Sequence, residues 1–299
     1  MKYFFRSLFL LIIIVFFGCK NDNDKLRIGI IRNSLDHLPL EFAFEIEALD
    51  KENYQIKRFS TSKSITNALK KRNIDVGIMP FVDYCVTYPE NDSKIISFLQ
   101  REGFGIISTK KVDSFSEIEV KTMSVHKALQ TKIYAKLLLS EFDKKTELKE
   151  FSSLNKLIED LENKKIETAF LKTPEIFKIK GDFTNYFPLK SLFSYYPVSD
   201  IVATNLALKS KLTEIKLFIN GLKNSCKTLN ENPKVAYEVV YEFYQLPISL
   251  SRNTLHHTKY RMGLQSQDQQ FEDKIIDILK QDGNISTDIN LKYRYFEIE

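Results

Sequence analysis

Phe59-Ser-Thr-Ser-Lys-Ser-Ile-Thr-Asn-Ala-Leu-Lys-Lys-Arg-Asn-Ile-Asp-Val-Gly-Ile-Met79 aligns without a gap on Phe151-Ser-Ser-Leu-Asn-Lys-Leu-Ile-Glu-Asp-Leu-Glu-Asn-Lys-Lys-Ile-Glu-Thr-Ala-Phe-Leu171. The identities are Phe59 with Phe151, Ser60 with Ser152, Leu69 with Leu161 and Ile74 with Ile166. Each copy reads as a strand end, a polar turn, an amphipathic helix and a second strand. In each, a Ser/Thr group falls between strand and helix N-terminus, where backbone N–H groups and the helix dipole favour an acceptor oxygen or an anion. A solenoid would repeat three or more times with a period of about 20 to 50 residues. Two copies about 90 residues apart instead imply two α/β lobes.

Working outward, Leu26-Arg-Ile-Gly-Ile-Ile31 is an apolar run bounded by Asn33-Ser34, which suits a buried strand ending in a loop. A helix is predicted from Pro39 through Glu41 to Leu49, a strand over Tyr54 to Phe59, a helix over Ser64 to Lys71 and a strand over Asp75 to Met79. This alternation calls for a parallel sheet covered on both faces. The second lobe begins after Phe104-Gly-Ile-Ile-Ser-Thr109, with a strand near Lys121 to Val125 and a helix from about Ala128 to Glu141. Asp200 to Leu208 reads as a returning strand, followed only by helical patterns. The first of these sets Leu212, Ile215, Phe218, Ile219, Leu222, Cys226 and Leu229 on one stripe. Asn232-Pro233 then caps a further helix. A chain that leaves lobe one, builds lobe two and returns makes two crossings, which form a hinge over a cleft.

The amino end reads differently. Lys2 and Arg6, an apolar run from Leu8 to Phe17 and then Gly18-Cys19 have the layout of a secretion signal. The run is short of the roughly 20 apolar residues that a spanning helix needs. Val15-Phe-Phe-Gly-Cys19 resembles the bacterial lipobox, although Phe16 and Phe17 depart from its usual Leu and small residue. The resemblance implies cleavage before Cys19 and acylation, palmitate included, of that cysteine. The predicted organisation is a signal peptide over 1–18, a lipidated tether over 19–25, lobe one over 26–106 and 201–299, and lobe two over 107–200, with the C-terminal helices on lobe one.

Composition fits a folded, exported body. Hydrophobic residues make up 43% and charged residues 28%, which excludes a disordered chain. The formal net charge is +5, two units of it from Lys2 and Arg6, with acids and bases interspersed. That is no nucleic-acid footprint. Only Cys85 and Cys226 follow Cys19, so no disulfide framework is implied, and sequence leaves open whether those two pair or simply fill core.

These residues resemble a family, the solute-binding proteins of ABC importers, in the group that handles sulfonates, nitrate and thiamine-precursor pyrimidines. Leu26-Arg-Ile-Gly-Ile30, Ser64-Ile-Thr-Asn-Ala-Leu-Lys-Lys-Arg-Asn-Ile-Asp-Val-Gly-Ile78 and Arg101-Glu-Gly-Phe-Gly-Ile-Ile-Ser108 look like its first lobe. Asn232-Pro-Lys-Val-Ala-Tyr-Glu-Val-Val-Tyr-Glu-Phe-Tyr-Gln-Leu246 looks like its late helical segment. The resemblance implies an α/β, two-lobed, type 2 periplasmic-binding-protein-like fold that closes on a small polar or anionic organic ligand. It also implies permease and ATPase partners, a monomer, no catalysis and no cofactor. The chain has no Trp, so any aromatic wall must come from Tyr or Phe.

Ligands of such lobes lie beyond the carboxyl ends of strands. In lobe one this singles out Arg32, Asn33, Ser34 and His37 after the first strand, Ser60 and Thr61 after the second, and Pro80, Phe81 and Tyr84 after the third. In lobe two it singles out Ser124, His126 and Gln130, then Ser152 and Ser153, then Thr173. Asn33, Ser34, Ser60 and Ser152 serve equally well as turn and cap residues. His37 and His126 have no third ligand at a recognisable spacing, so no metal site is expected. Arg32 and Arg101 could each offer a fork to a carboxylate, sulfonate or phosphate. The rings of Tyr195-Tyr196-Pro197 could stack on a ligand or fill the hinge, and hinge packing is the expectation. His256 and His257 read as adjacent helical residues that do not face one another. No nucleophile elbow, zinc-protease or phosphate-loop motif is present. Two rival readings are an enzyme of the same architecture, since Arg27 to Leu40 faintly resembles menaquinone-pathway proteins, and a surface sensor lipoprotein without a permease.

Overall fold

Strand pairing sorts the chain into two sheets. The structure is a computed structural model that describes residues 25–88, 92–110, 114–118, 121–142, 145–180, 185–194 and 196–298. The expected signal peptide, Cys19 with the tether as far as Asp24, and Tyr195 lie outside the described residues. In chain order the elements are β1 (Leu26–Ile31), α1 (Leu38–Glu45), β2 (Tyr54–Phe59), α2 (Ser62–Lys70), β3 (Val76–Met79), α3 (Phe81–Thr87) and β4 (Ser93–Glu102). Then follow β5 (Phe104–Ser108), β6 (Thr122–His126), α4 (Leu129–Glu141), β7 (Glu147–Phe151), α5 (Leu154–Glu162), β8 (Thr168–Lys172), α6 (Glu175–Lys178) and β9 (Asn185–Pro188). The chain continues with β10 (Pro197–Thr204), α7 (Asn205–Ser210), α8 (Leu212–Glu231), α9 (Tyr237–Tyr244), α10 (Ile248–His256), β11 (Thr258–Gly263) and α11 (Ser266–Gln281).

Among the described residues the first sheet runs β11-β4-β10-β3-β1-β2 and the second β7-β6-β8-β5-β9. Both centre on a parallel trio, β2-β1-β3 in one and β7-β6-β8 in the other. An antiparallel strand then joins each trio. It is β10 beside β3 in the first sheet and β5 beside β8 in the second, so each lobe completes its sheet with a strand next to a crossing. Both sheets are therefore mixed, where alternation alone predicted a parallel one; the crossing strands re-enter from the opposite end.

The internal repeat is also a repeat of geometry. Thr61 caps α2 by accepting from the amide of Ser64, and Ser153 caps α5 by accepting from that of Lys156. Caps of this kind contribute about 1 kcal/mol each. At the other end Arg72 and Lys164, equivalent in the alignment, both take left-handed φ, 58° and 55°. The amides of Asn73 and Lys165 reach back to the carbonyls of Ala68 and Asp160, at 2.8 Å each, closing both helices in the same way. Inside, Ile65 and Leu157 are fully buried, as are Leu69 and Leu161 or nearly so. A Cβ on Gly29 would meet Ile74 Cδ1 at 2.5 Å, so the Ile74 side chain would have to shift to admit one.

The chain passes from the first sheet to the second between Glu102 and Phe104 and returns between Pro188 and Pro197. Glu102 and Gly103 both have left-handed φ, 64° and 98°. The chain turns there within two residues, and a Cβ on Gly103 would stand 2.9 Å from Thr173 Oγ1. Tyr196 packs the return crossing, fully buried, its hydroxyl accepting from the amide of Phe104 at 2.9 Å. The returning strand ends at Thr204, not near Leu208, because the Thr204 hydroxyl accepts from the amide of Ala207 and opens a helix. Strand β11 lies within the stretch read as wholly helical; it pairs with β4 on the sheet edge. Its short Thr-Lys-Tyr-Arg-Met-Gly pattern is hidden between two strong helices.

One hydrophobic cluster spans both lobes, from Ile65, Phe81 and Tyr84 to Phe104, Tyr134 and Phe170, with Phe271 of α11 between them. Cys85 sits in this cluster and Cys226 in the separate one under β1 and α8; both are free and buried. Among the described residues, no helix is long and apolar enough to cross a membrane.

Candidate functional site

Strand ends converge between the lobes. A cleft cavity of about 300 Å³ is lined from lobe one by Ile31 to Asp36, which follow β1, and from lobe two by His126, Thr131, Leu154 and Leu171 to Glu175. A second hollow of about 350 Å³ continues it, bounded by Asn33, Leu35, Pro174, Glu175, Lys178 and the segment Phe243 to Leu246.

The local sequence explains the lobe-one wall. After Ile31 the amide of Arg32 still bonds the carbonyl of Phe59 at 2.8 Å, and Asn33 then turns with φ 55°. The Ser34 hydroxyl accepts from the amide of Asp36, starting a single 3-10 turn that aims Asp36 at the opposite lobe. There Lys172 Nζ of β8 meets Asp36 Oδ1 at 2.5 Å. The Asp36 side chain is 5% exposed and that of Lys172 22%, so this ion pair is largely withdrawn from water. Beside it stands Asp83, in the first turn of α3. Burial raises its carboxyl above the usual range; a hydrogen bond from Ser62 opposes that shift, Asp36 reinforces it and Lys172 opposes it. Next in the chain, the Thr173 amide bonds the Gly103 carbonyl at 2.7 Å, and its hydroxyl meets that of Thr258 at 3.1 Å. These contacts seat the cleft directly against the crossing.

Of the residues singled out from sequence, the structure brings Arg32, Asn33, Ser34, His126 and Thr173 onto the cavity. His126 is half-buried; its Nδ1 accepts from the amide of Ala128, and burial followed by Lys127 lowers its pKa. Ser152 and Ser153 are exposed at the N-terminus of α5, and Ser60 and Thr61 are exposed before α2. The structure places others inside the lobes. His37 is 3% exposed, its ring 5.8 Å from Tyr244, and burial holds its pKa down to about 3. Pro80 caps α3, so that Phe81 and Tyr84 turn their rings into the core, where the Tyr84 hydroxyl donates to the Ser93 carbonyl. Ser124 is buried mid-strand in β6. Gln130 donates to the Val198 carbonyl at 2.6 Å, a tie from α4 to the return strand. Arg101 is turned away from the cleft into an ion pair with Asp268, both side chains buried. His257 lies just past α10 and packs its ring 5.1 Å from Phe177 and 5.1 Å from Tyr186, joining the lobes; it does face His256, at 5.0 Å, because the helix has ended.

Asp36, Asp83, Lys172 and Glu175 went unmarked in sequence. The repeat held a signal for Lys172: in that register it is the counterpart of Pro80, and both directly follow a strand core. For Asp36 the signal was weaker, since a 3-10 turn carries no periodicity. No grouping of three or more His, Cys, Asp or Glu side chains suited to a metal is found among the described residues.

Two mixed sheets closing on a polar cavity at their strand ends define the class, the two-lobed fold of periplasmic solute-binding proteins. The periplasmic aliphatic sulphonate binding protein SsuA from Escherichia coli has this fold with a TM-score of 0.77 at 11% identity, over 92% of this chain and 93% of that one. An ABC transporter protein from Parabacteroides distasonis aligns with a TM-score of 0.69 at 14% identity, over 92% and 100%. The periplasmic nitrate-binding protein NrtA from Synechocystis PCC 6803 gives 0.66 at 12%, over 89% and 83%. No protein-family model matches the chain, and no curated protein matches it by sequence.

Proposed function

We propose that this chain is the solute-binding component of an ABC importer, capturing a small polar organic molecule between its lobes and delivering it to a membrane permease. The observation that carries this reading is the cavity shared by both lobes, into which strand ends from each side direct polar groups. A ligand touching both lobes favours their closed arrangement by the contacts it makes only there. The Gly103 turn and the Thr173–Thr258 contact beside the cavity give that motion a place to act. The structural relatives named for sulphonate and nitrate binding support the role at the level of fold. Export and acylation at Cys19 complete the proposal, holding the body at a membrane surface where a permease could receive it; two acyl signals anchor stably where one is marginal.

A thermal-shift screen of small organic anions, zwitterions and pyrimidines tests the role. The reading requires at least one compound that stabilises the protein and loses its effect when Arg32 and His126 are both replaced by Ala. A stabilising compound indifferent to that pair and to Lys172→Met would place binding outside the cleft.

A further inference from the structure

Building on the cleft reading, we propose that the captured solute is a zwitterion, its cationic nitrogen held by Asp36 of lobe one and its acid group by Lys172 of lobe two. The Lys172–Asp36 pair, 2.5 Å long, spans the cavity that a solute must occupy. A molecule inserted between the lobes separates the two charges. Each is then largely buried and needs a new partner, because an unpaired charge in such a place is strongly unfavourable.

The three simple alternatives fail on charge. A plain anion satisfies Lys172 but is set against the Asp36 carboxylate on the facing wall. A plain cation satisfies that wall and strands Lys172. A neutral molecule replaces neither partner. A zwitterion restores both, with its cationic end seated against Asp36 on lobe one and its acid group against Lys172. Arg32 is exposed on the rim of that same lobe-one wall. Lys172 is thus an internal stand-in, occupying in the empty protein the position the solute's nitrogen takes when bound. The cavity, at about 300 Å³, has the volume of about ten waters in the liquid, enough for a solute of amino-acid size.

The test compares four molecules of one shape in calorimetric titrations of the full folded body: 4-aminobutyrate, butyrate, butylamine and butyramide. The expected result is binding of 4-aminobutyrate alone, weakened about 30-fold or more by Asp36→Asn. In Lys172→Met the preference moves to butylamine, which then binds at least as well as 4-aminobutyrate. Circular dichroism melting verifies that both variants fold. Butyrate binding as tightly as 4-aminobutyrate and unaffected by Asp36→Asn overturns the charge assignment while leaving the cleft as the site. Equal binding of butyramide means the ion pair stays closed, and it overturns the proposal likewise, as does no response to any of the four. Binding that neither variant alters overturns the cleft reading itself.

Discussion

Lys172 of the second lobe and Asp36 of the first form a charge pair 2.5 Å apart across the cleft, one at the end of β8, the other in the turn after β1. They are 136 residues apart in sequence. A pair so placed couples the lobes in the empty protein. A double-mutant cycle with Lys172→Met and Asp36→Asn in denaturant unfolding is therefore expected to give a coupling of at least about 0.5 kcal/mol, the lower end for contacting residues. Additive effects would mean that the lobes stand apart in solution.

The hinge strands are tied to the C-terminal helix by buried charge. Arg101 at the end of β4 pairs with Asp268 of α11, with 1% and 0% of their side chains exposed. Arg101→Met leaves a carboxylate buried without its partner and is expected to cost about 3–5 kcal/mol of stability. Replacing both residues with apolar side chains should recover most of that loss. Chemical denaturation of the single and double variants checks this, and a double variant no more stable than the single contradicts it.

The same region titrates. Arg101 and Arg294 face Asp268, Asp200 and Glu272, all five buried, so the group is neutral only if one carboxyl keeps its proton. Burial pushes Asp200 up to about 7, and Glu272 is also raised, by burial and then by Asp200. A carboxyl whose folded value lies above its unfolded one stabilises the protein in acid, where it is protonated in both states. That contribution is lost as pH climbs from about 4, the unfolded value, through about 7. The melting temperature should fall over this window, and by less in Asp200→Asn, whose amide needs no proton. Parallel profiles for the two proteins would show that Asp200 is ionised throughout.

The proposed anchor makes a separate prediction. Cys19→Ser, expressed in a bacterial host, should leave the protein unacylated and recovered in the soluble fraction, with the same melting temperature as the body alone. Fractionation by ultracentrifugation decides it, and a variant still sedimenting with membranes would place the anchor elsewhere.

The sequence made legible whatever rests on periodicity and caps. The 59–79 and 151–171 copies gave the paired helices, with the caps falling on Thr61 and Ser153, one residue past Ser60 and Ser152, and the strand-end rule pointed to Arg32, Asn33, Ser34, His126 and Thr173, which line the cavity. It did not find what tertiary packing decides. Phe81 and Tyr84 follow a strand end too, but α3 begins at once and rotates them inward. Strand β11 and the antiparallel crossings depend on partners 60 or more residues away, with no local pattern to mark them. Asp36 and Lys172 matter through each other, and a pair brought together only by folding leaves no spacing to read.

Capture between the lobes is most directly tested by backbone hydrogen exchange with and without a stabilising solute from the screen. The account predicts that exchange slows together in the segments 31–36 and 171–175, one wall of the cleft from each lobe. Slowing confined to one of these segments, or to neither, would contradict it.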